Sequence, residues 1–355
     1  MDKKNILISI DNIDKGEIQK YLINFLKNID YNKFNIDLLL KKTSGYYKKN
    51  LPKKVNIITN NKKNILLNKL EKIKFNLKNH NKYNTSIIFN IDSLESNKTI
   101  LKASKNKIMF INEDYIKNFS EGQFREFFTK RNIYNFNQLI FKSTESKEKF
   151  LKYYPSLNRI TTVISSVINI DKIEKDSLEK INIKFKRTDK KILFIGTLNE
   201  ELNKVSNYLN MVKELKKDIP NIKLYIIGNG IDYTAYKSFI DDNNLSDNII
   251  LLDNVENIYP YIKKVNYIII PDEINEYKTI ITEIFLLKTN IISTKILSDD
   301  LLRVDDKTGY IISSNYNQLL KDMLNILNNK DKKNKIDIEK INKTKITLLE
   351  NLLTK

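Results

Sequence analysis

The chain has no cysteine, no tryptophan and a single histidine among its 355 residues. Without cysteine there are no disulfide scaffolds, no thiol catalysis and no cysteine-based zinc sites. One histidine, His80, cannot build a histidine metal cluster and leaves little room for Ser-His-Asp chemistry. It stands in a Lys- and Asn-rich stretch and reads as exposed and inert. Apolar runs are short: Tyr267-Ile268-Ile269-Ile270 is strand-sized, far below the roughly 20 residues that cross a bilayer. No apolar N-terminal block ends in a small-residue cleavage site, so export by signal peptide is not expected. The N-x-S/T tripeptides at Asn84, Asn97, Asn118 and Asn342 then carry no weight. Only seven residues are glycine, far under the usual roughly 7%. Those that remain are expected where backbone geometry demands them. Carboxylates, lysine, tyrosine and backbone dipoles are left for any chemistry.

What is present suits a two-domain globular protein. The chain is 41% hydrophobic and 10% aromatic, enough to bury real cores, and its length fits two domains. The net charge of +19 is uneven. Residues 1–190 hold 39 Lys+Arg against 20 Asp+Glu, and residues 191–355 hold 23 of each. Codon bias explains why lysine outnumbers arginine, but not why the second half is neutral. The asymmetry points to an anionic partner for the first half alone.

Strand and helix patterns alternate throughout. In the first half, strands are expected at Asn5–Ile10, Phe34–Leu40, Val55–Ile58, Ser86–Asn90, Lys107–Ile111, Gln138–Phe141 and Thr162–Ile164, with helices between them such as Gly16–Lys27. The second half restarts with strand Lys191–Gly196 and helix Val205–Lys217. Strand Lys223–Ile227 and helix Tyr233–Asp242 come next. Further strands are Asn248–Leu252, Tyr267–Ile270, Asn290–Ser293 and Gly309–Ile312, with helix Thr279–Lys288 among them. Such alternation predicts parallel sheets covered on both faces. The expected architecture is α/β, two Rossmann-like doubly wound domains facing across a cleft. The boundaries read as 1–185 for a basic first domain, 186–335 for a second, and 336–355 for a C-terminal helix packing back on the first. The charged stretch Lys184–Lys190 serves as the linker. Gly196, Gly228 and Gly230 all end predicted strands on one edge, as a binding face would require.

The second half resembles the donor domain of family 4 glycosyltransferases (glycosyl transferases group 1) of the GT-B fold. The similar stretches are IPNIKLYIIGNG (219–230), NIILLDNVENIYPYIKKVNYIIIP (248–271) and the span from Glu283 to DDKTGYII (305–312). The opening NILISIDNIDKGEIQKYLINFLKNID and the later FKSTESKEKFLKYYP (141–155) resemble the same family's first domain. The family's Glu-x7-Glu element brackets the donor sugar. Glu283 matches its second Glu, which binds the nucleotide ribose; the first falls on Asn275 and the neighbouring Gly on Glu276. The phosphate-binding Arg falls on Thr197 and the Lys at or near Leu202, with Lys204 within reach of the same phosphate. The acceptor-side Gly-rich loop shrinks to Lys15-Gly16-Glu17, and the family's active-site His falls on Asn112. The family's Asn-Pro-Ile-Asp crossing reads Ser166-Val167-Ile168-Asn169.

The resemblance implies a nucleotide-sugar-dependent hexosyltransferase that uses no metal and retains anomeric configuration. It would move a sugar, from a UDP-sugar first, to a cell-surface polysaccharide, glycolipid or glycoprotein acceptor in the cytoplasm, at the inner face of the membrane. The expected donor site is Gly196, Thr197, Lys204, Gly228, Gly230, Val255, Tyr277, Thr279 and Glu283. Asn275, Glu276 and Lys278 stand where catalysis occurs, and Gly16 and Asn112 stand on the acceptor side. With the cations replaced, the departing diphosphate is left mainly the backbone N–H groups of Tyr277–Thr279, where a helix begins, plus Lys278. A second reading is therefore a catalytically inactive GT-B subunit that supports an active partner transferase. A third is a basic binder of nucleic acid or membrane, although arginine is scarce and no nucleic-acid motif appears. Residues 62–82 hold seven Lys and one Glu. Leu66, Leu70, Ile73 and Leu77 share one helical side there, a pattern that suits an anionic membrane surface.

Overall fold

The computed structural model describes residues 2–42, 44–59, 81–89, 100–112, 119–270, 278–298, 301–329 and 336–355. It divides into two compact units: Met1–Asn169 with Lys340–Lys355, and Ile170–Glu339.

The first unit is built on a seven-stranded parallel sheet. Its strands are β1 (Lys4–Ile10), β2 (Phe34–Leu40), β3 (Val55–Thr59), β4 (Tyr83–Ile88), β5 (Ser104–Ile111), β6 (Gln138–Phe141) and β7 (Thr161–Val163). Their order is β3-β2-β1-β4-β5-β6-β7. Ile6 of β1 stands beside Ile36 of β2 and Thr85 of β4. A parallel sheet buried on both faces needs unbroken apolar strands, and β1 is buried continuously from Leu7 to Ile10. Successive side chains point to opposite faces. Ile6, Ile8 and Ile10 therefore join one core with Tyr21, Phe25 and Phe110, while Leu7 joins another with Met109, Phe128 and Phe150. Helices α1 (Glu17–Asn28), α2 (Glu121–Lys130) and α3 (Thr144–Tyr153) cover the sheet.

The second unit repeats the plan. Strands β8 (Lys190–Ile195), β9 (Ile222–Ile227), β10 (Ile249–Leu251), β11 (Tyr267–Ile270), β12 (Asn290–Ser293) and β15 (Tyr310–Ile311) form a parallel sheet ordered β10-β9-β8-β11-β12-β15. A small antiparallel pair, β13 (Leu297–Ser298) and β14 (Arg303–Val304), stands apart from it. The helices, in chain order, are α4 (Ile170–Asp176), α5 (Glu200–Asn203), α6 (Val205–Leu215), α7 (Tyr233–Asp242), α8 (Tyr259–Lys264), α9 (Lys278–Leu286) and α10 (Tyr316–Asn328). The final helix, α11 (Ile338–Thr354), belongs almost wholly to the first unit. Both sheets reverse direction of winding beside their first strand, at β1/β4 and at β8/β11. In sheets wound this way, ligands are generally bound at the carboxyl ends of the strands at the reversal.

The first unit ends at Asn169, not at 185. Residues after 169 are held by the second unit: Asn257 Nδ2 donates to Asp176 O (2.8 Å) and Lys263 Nζ to Ser177 Oγ (3.1 Å). The stretch 184–190, charged enough to read as a linker, is docked. Lys191 Nζ donates to Lys186 O and Asp189 O, both at 3.2 Å, and Phe185 packs 4.7 Å from the Tyr225 ring.

Helix α11 is woven into the first unit by polar and apolar contacts together. Leu349, Leu352 and Leu353 enter the same core as Phe25. Asn342 imitates a strand neighbour: its Oδ1 accepts from Ile168 N (2.9 Å) while its Nδ2 donates to Ile168 O (3.1 Å). Two carbonyls that the helix leaves unpaired at its C-terminus accept from side chains. Asn106 Nδ2 reaches Leu352 O (3.0 Å) and Thr85 Oγ1 reaches Leu353 O (2.8 Å). Lys345 is fully buried, with its ammonium 3.5 Å from Ser166 O. The segment Ser166-Val167-Ile168-Asn169 is thus a buried strap under α11 and α1, where Asn24 Nδ2 also donates to Val167 O (3.0 Å).

Candidate functional site

The carboxyl edge of the second sheet gathers most of the expected donor-site residues that the structure describes. Three loops meet there. After β8 the chain passes Gly196 and the exposed Thr197 into α5 and α6; after β9 it passes Gly228-Asn229-Gly230; after β10 it passes Asp253 to the half-buried Val255. The loops are stitched by backbone bonds from Gly196 N to Ile227 O (3.0 Å), Leu198 N to Asn229 O (3.1 Å) and Gly228 N to Asp253 O (2.9 Å).

That stitching explains the glycines. A Cβ on Gly228 would lie 1.8 Å from Gly196 O, and its φ of +151° is one that L side chains rarely adopt. A Cβ on Gly230 would lie 2.1 Å from Leu198 O. Both positions lack side chains because neighbouring backbone fills the space. Their presence is accounted for inside the protein and does not by itself mark a ligand.

Glu200 fixes the β8–α6 connection. Its carboxylate accepts from Ser206 N (2.9 Å), Ser206 Oγ and Tyr236 OH (2.8 Å), while its own N–H donates to Asp232 Oδ2 (2.8 Å). Burial, and then the bond to Glu200, push the Tyr236 phenol well above its ordinary range, so it stays a donor. Tyr233, on the same helix, is raised first by burial and then by its bond to Asp253. Two residues at this edge adopt left-handed backbone without being glycine: Lys204 (φ 47°), between α5 and α6, and Asp253 (φ 50°). Such conformations are uncommon and collect where geometry is imposed from outside. Lys204 is exposed at the N-terminus of α6.

Across the switch point, α9 follows β11. Glu283 on this helix is 2% exposed, so its carboxylate is turned away from solvent. Thr282 beside it is equally buried, and its Oγ1 has no hydrogen-bond partner among the described residues. Asn275, Glu276 and Tyr277 lie outside the described residues, as do the side chains of Leu202, Lys278 and Thr279. Among the described residues, no three His, Asp or Glu side chains group as a metal site, and no helix is long and apolar enough to cross a membrane. Residues 62–80 of the basic stretch, His80 included, also lie outside the described residues.

In the first unit, Gly16 caps α1 and Asn112 directly follows β5, so both stand at the carboxyl edge of their sheet. Gly16 has an extended backbone (φ −177°), and a Cβ there would meet only the Gln19 side chain. The glycine that this edge does require is Gly45, at φ +154°, where a Cβ would lie 2.8 Å from both C and O of Ile13. Neither Gly45 nor the Glu200–Tyr236 contact is visible as a motif. A lone glycine in a glycine-poor chain is the one available signal for the first, and the second joins residues far apart in sequence.

Known proteins share this design. The family model described as "Glycosyl transferases group 1" matches residues 189–329. An uncharacterized glycosyltransferase of Methanocaldococcus jannaschii is 24% identical over 237 residues, covering 62% of this chain and 58% of its own length. Among solved structures, HepE of Anabaena in complex with UDP and glucose superposes with a TM-score of 0.65 at 14% identity, covering 98% of this chain and 99% of that one. TarM of S. aureus, in complex with Fondaparinux, alpha-GlcNAc-glycerol and UDP, superposes with a TM-score of 0.59 at 13% identity, covering 99% and 100%. Residues 189–329 therefore resemble a group 1 glycosyltransferase domain, in a chain whose two parallel-sheet units have the GT-B fold.

Proposed function

We propose that the chain transfers a hexose from a nucleotide sugar, UDP-linked in the first instance, to a glycan or lipid-linked glycan acceptor. The nucleotide lies at the carboxyl edge of the second sheet, across the β8/β11 switch point. The observation that carries this reading is Glu283, a carboxylate buried on the helix that follows β11, the strand that pairs with β8. A carboxylate is seldom buried without a task, and at this position it can accept both hydroxyls of a ribose.

Glycosidic cleavage places negative charge on the departing diphosphate. Thr197 supplies a hydroxyl there instead of a cation. The N-terminus of α9 supplies about half a positive charge, and Lys278 begins that helix. Lys204, exposed at the start of α6, is the remaining cation on the phosphate side. Asn275 and Glu276 are assigned to the sugar, Val255 to the base, and Gly16 and Asn112 to the acceptor. Transfer proceeds with retention and without a metal ion. The replacement of a phosphate cation by Thr197 also favours a second reading, a nucleotide-binding subunit without turnover.

Thermal shift with UDP, UDP-glucose, and GDP-, ADP- and CDP-sugars tests the site. At a hundred times its dissociation constant a ligand adds about 2.7 kcal/mol of stability. The expected result is a shift with uridine nucleotides that Glu283→Gln removes. No shift with any nucleotide, or an unchanged shift in the variant, overturns the assignment. Hydrolysis or transfer of the bound sugar separates the enzyme from the silent subunit.

A further inference from the structure

The connection from β2 to β3 carries Lys41, Lys42, Lys48, Lys49, Lys53 and Lys54, all exposed, and no acidic residue stands between positions 41 and 54. This is a built element. Lys41 N donates to Asp11 O (3.2 Å) and Tyr47 N to Ile13 O (2.9 Å), so the segment is laced to the loop that follows β1. Gly45 permits that approach, since any Cβ would strike the Ile13 backbone. A 3-10 turn, Lys48–Asn50, then holds two lysines outward. Asp11 of the adjoining β1–α1 loop is paired with Lys41 (2.9 Å), and Glu17, at the start of α1, with Lys142 (2.6 Å) just past β6. Asp14 lies against Gly45.

An aromatic ring stands among these charges. Tyr46 is 61% exposed and is held edge-on by Tyr47, with centroids 4.9 Å apart at 89°. A fixed, exposed ring beside ammonium groups offers a sugar ring a stacking face and its charged substituents a set of counter-ions. A surface that served only solubility would need neither the ring nor the glycine-dependent lacing. A bilayer-docking surface would present an apolar wedge, whereas Leu51 and Pro52 are turned partly inward and Tyr46 is the large exposed apolar group in 44–54.

We propose that residues 41–42 and 44–49 form a docking ledge for an anionic glycan, a chain bearing phosphate, sulfate or carboxylate groups, which presents its end to the carboxyl edge of the first sheet. The inference rests on the transferase reading and adds the class of its acceptor.

The test measures fluorescence anisotropy of a labelled sulfated pentasaccharide with the full chain. Two triple variants remove equal charge: Lys42, Lys48 and Lys49→Gln on the ledge, and Lys3, Lys4 and Lys105→Gln at the opposite, amino edge of the same sheet. The ledge variant is expected to bind about tenfold or more weakly, and the amino-edge variant to stay within about twofold, because screening confines each charge to its own neighbourhood. Tyr46→Ala is expected to weaken binding about threefold. Maltopentaose should neither bind nor compete, and phosphatidylglycerol vesicles should not displace the saccharide. Equal loss in both triple variants, binding of maltopentaose at the same strength, or displacement by vesicles would overturn the ledge. Each variant is also melted with UDP. Failed ledge binding with an intact UDP shift overturns this inference alone. Absent UDP shifts with intact ledge binding overturn the transferase reading and leave the ledge as a glycan-binding surface.

Discussion

The two sheets have the same winding and opposite edges. In both, the first strand lies in the middle, the next two lie to one side and the later ones to the other. At the second edge, backbone meets backbone through Gly228 and Gly196, and a carboxylate, Glu200, ties the loops together. At the first edge, lysines project from a laced connection; Lys41 pairs with Asp11, and Lys142 beyond β6 pairs with Glu17. Topology fixes where a ligand can lie, and loop chemistry decides which ligand it is. The lysines that follow β2 are one part of the charge imbalance between the halves of the sequence.

The sharpest way to break the comparison is Gly228→Ala. The added methyl cannot coexist with Gly196 O, so the β8 and β9 loops must separate. We expect a loss on the order of 3 kcal/mol or more in the second unit and abolition of the UDP shift. Urea melts followed by domain-specific probes would show it. A loss below about 1 kcal/mol, the size of an ordinary substitution, would mean that the loops separate freely.

Alkaline pH gives the next largest effect. The Tyr225 phenol is pushed up to about 12, first by burial and then by the Asp189 carboxylate. Its proton is held more tightly in the folded chain, so its contribution is complete below the ordinary value of 10 and is lost as pH climbs from 10 towards 12. The slope is on the order of 1 kcal/mol per pH unit. Denaturant midpoints between about pH 9 and pH 11.5 should fall in the wild type and fall less steeply in Tyr225→Phe.

Tyr236→Phe should cost about 1–2 kcal/mol, because it removes a buried donor from the Glu200 carboxylate. It should also weaken uridine nucleotide binding, since the β8–α6 connection loses one of its fixed points. Unchanged affinity alongside reduced stability would confine Glu200 to a structural role. Smallest of all is Gly16→Ala. The φ there is ordinary and only a flexible Gln19 side chain is in the way, so the change should stay within about 1 kcal/mol, the cost of a poorer helix cap.

The strands are legible wherever a parallel sheet demands continuous apolar residues. Phe34–Leu40, Gln138–Phe141, Tyr267–Ile270 and Asn290–Ser293 lie where the apolar runs put them. The pair β13 and β14 has two residues per strand, too few to show any period. Helix α4 is charged on most positions and has no apolar stripe to announce it. The stretch 184–190 shows the limit of composition as a guide to linkers: its backbone carbonyls hold the Lys191 ammonium and its Phe185 packs on Tyr225. Glu283 can be picked out only through the family pattern, whereas its burial is a tertiary fact. Backbone geometry does demand glycine at 228 and 230, but what demands it is the neighbouring loop.

Helix α11 sets an order of events during synthesis. Everything the second unit needs has left the ribosome once residue 339 is out, while the first unit still lacks Leu349, Leu352 and Leu353 from its core and the amide of Asn342 beside Ile168. Nascent domains usually mature in the order in which they are made. Here the half that begins first is completed last, and until the final turns emerge, the core that includes Phe25 is incomplete and offers apolar surface to a chaperone.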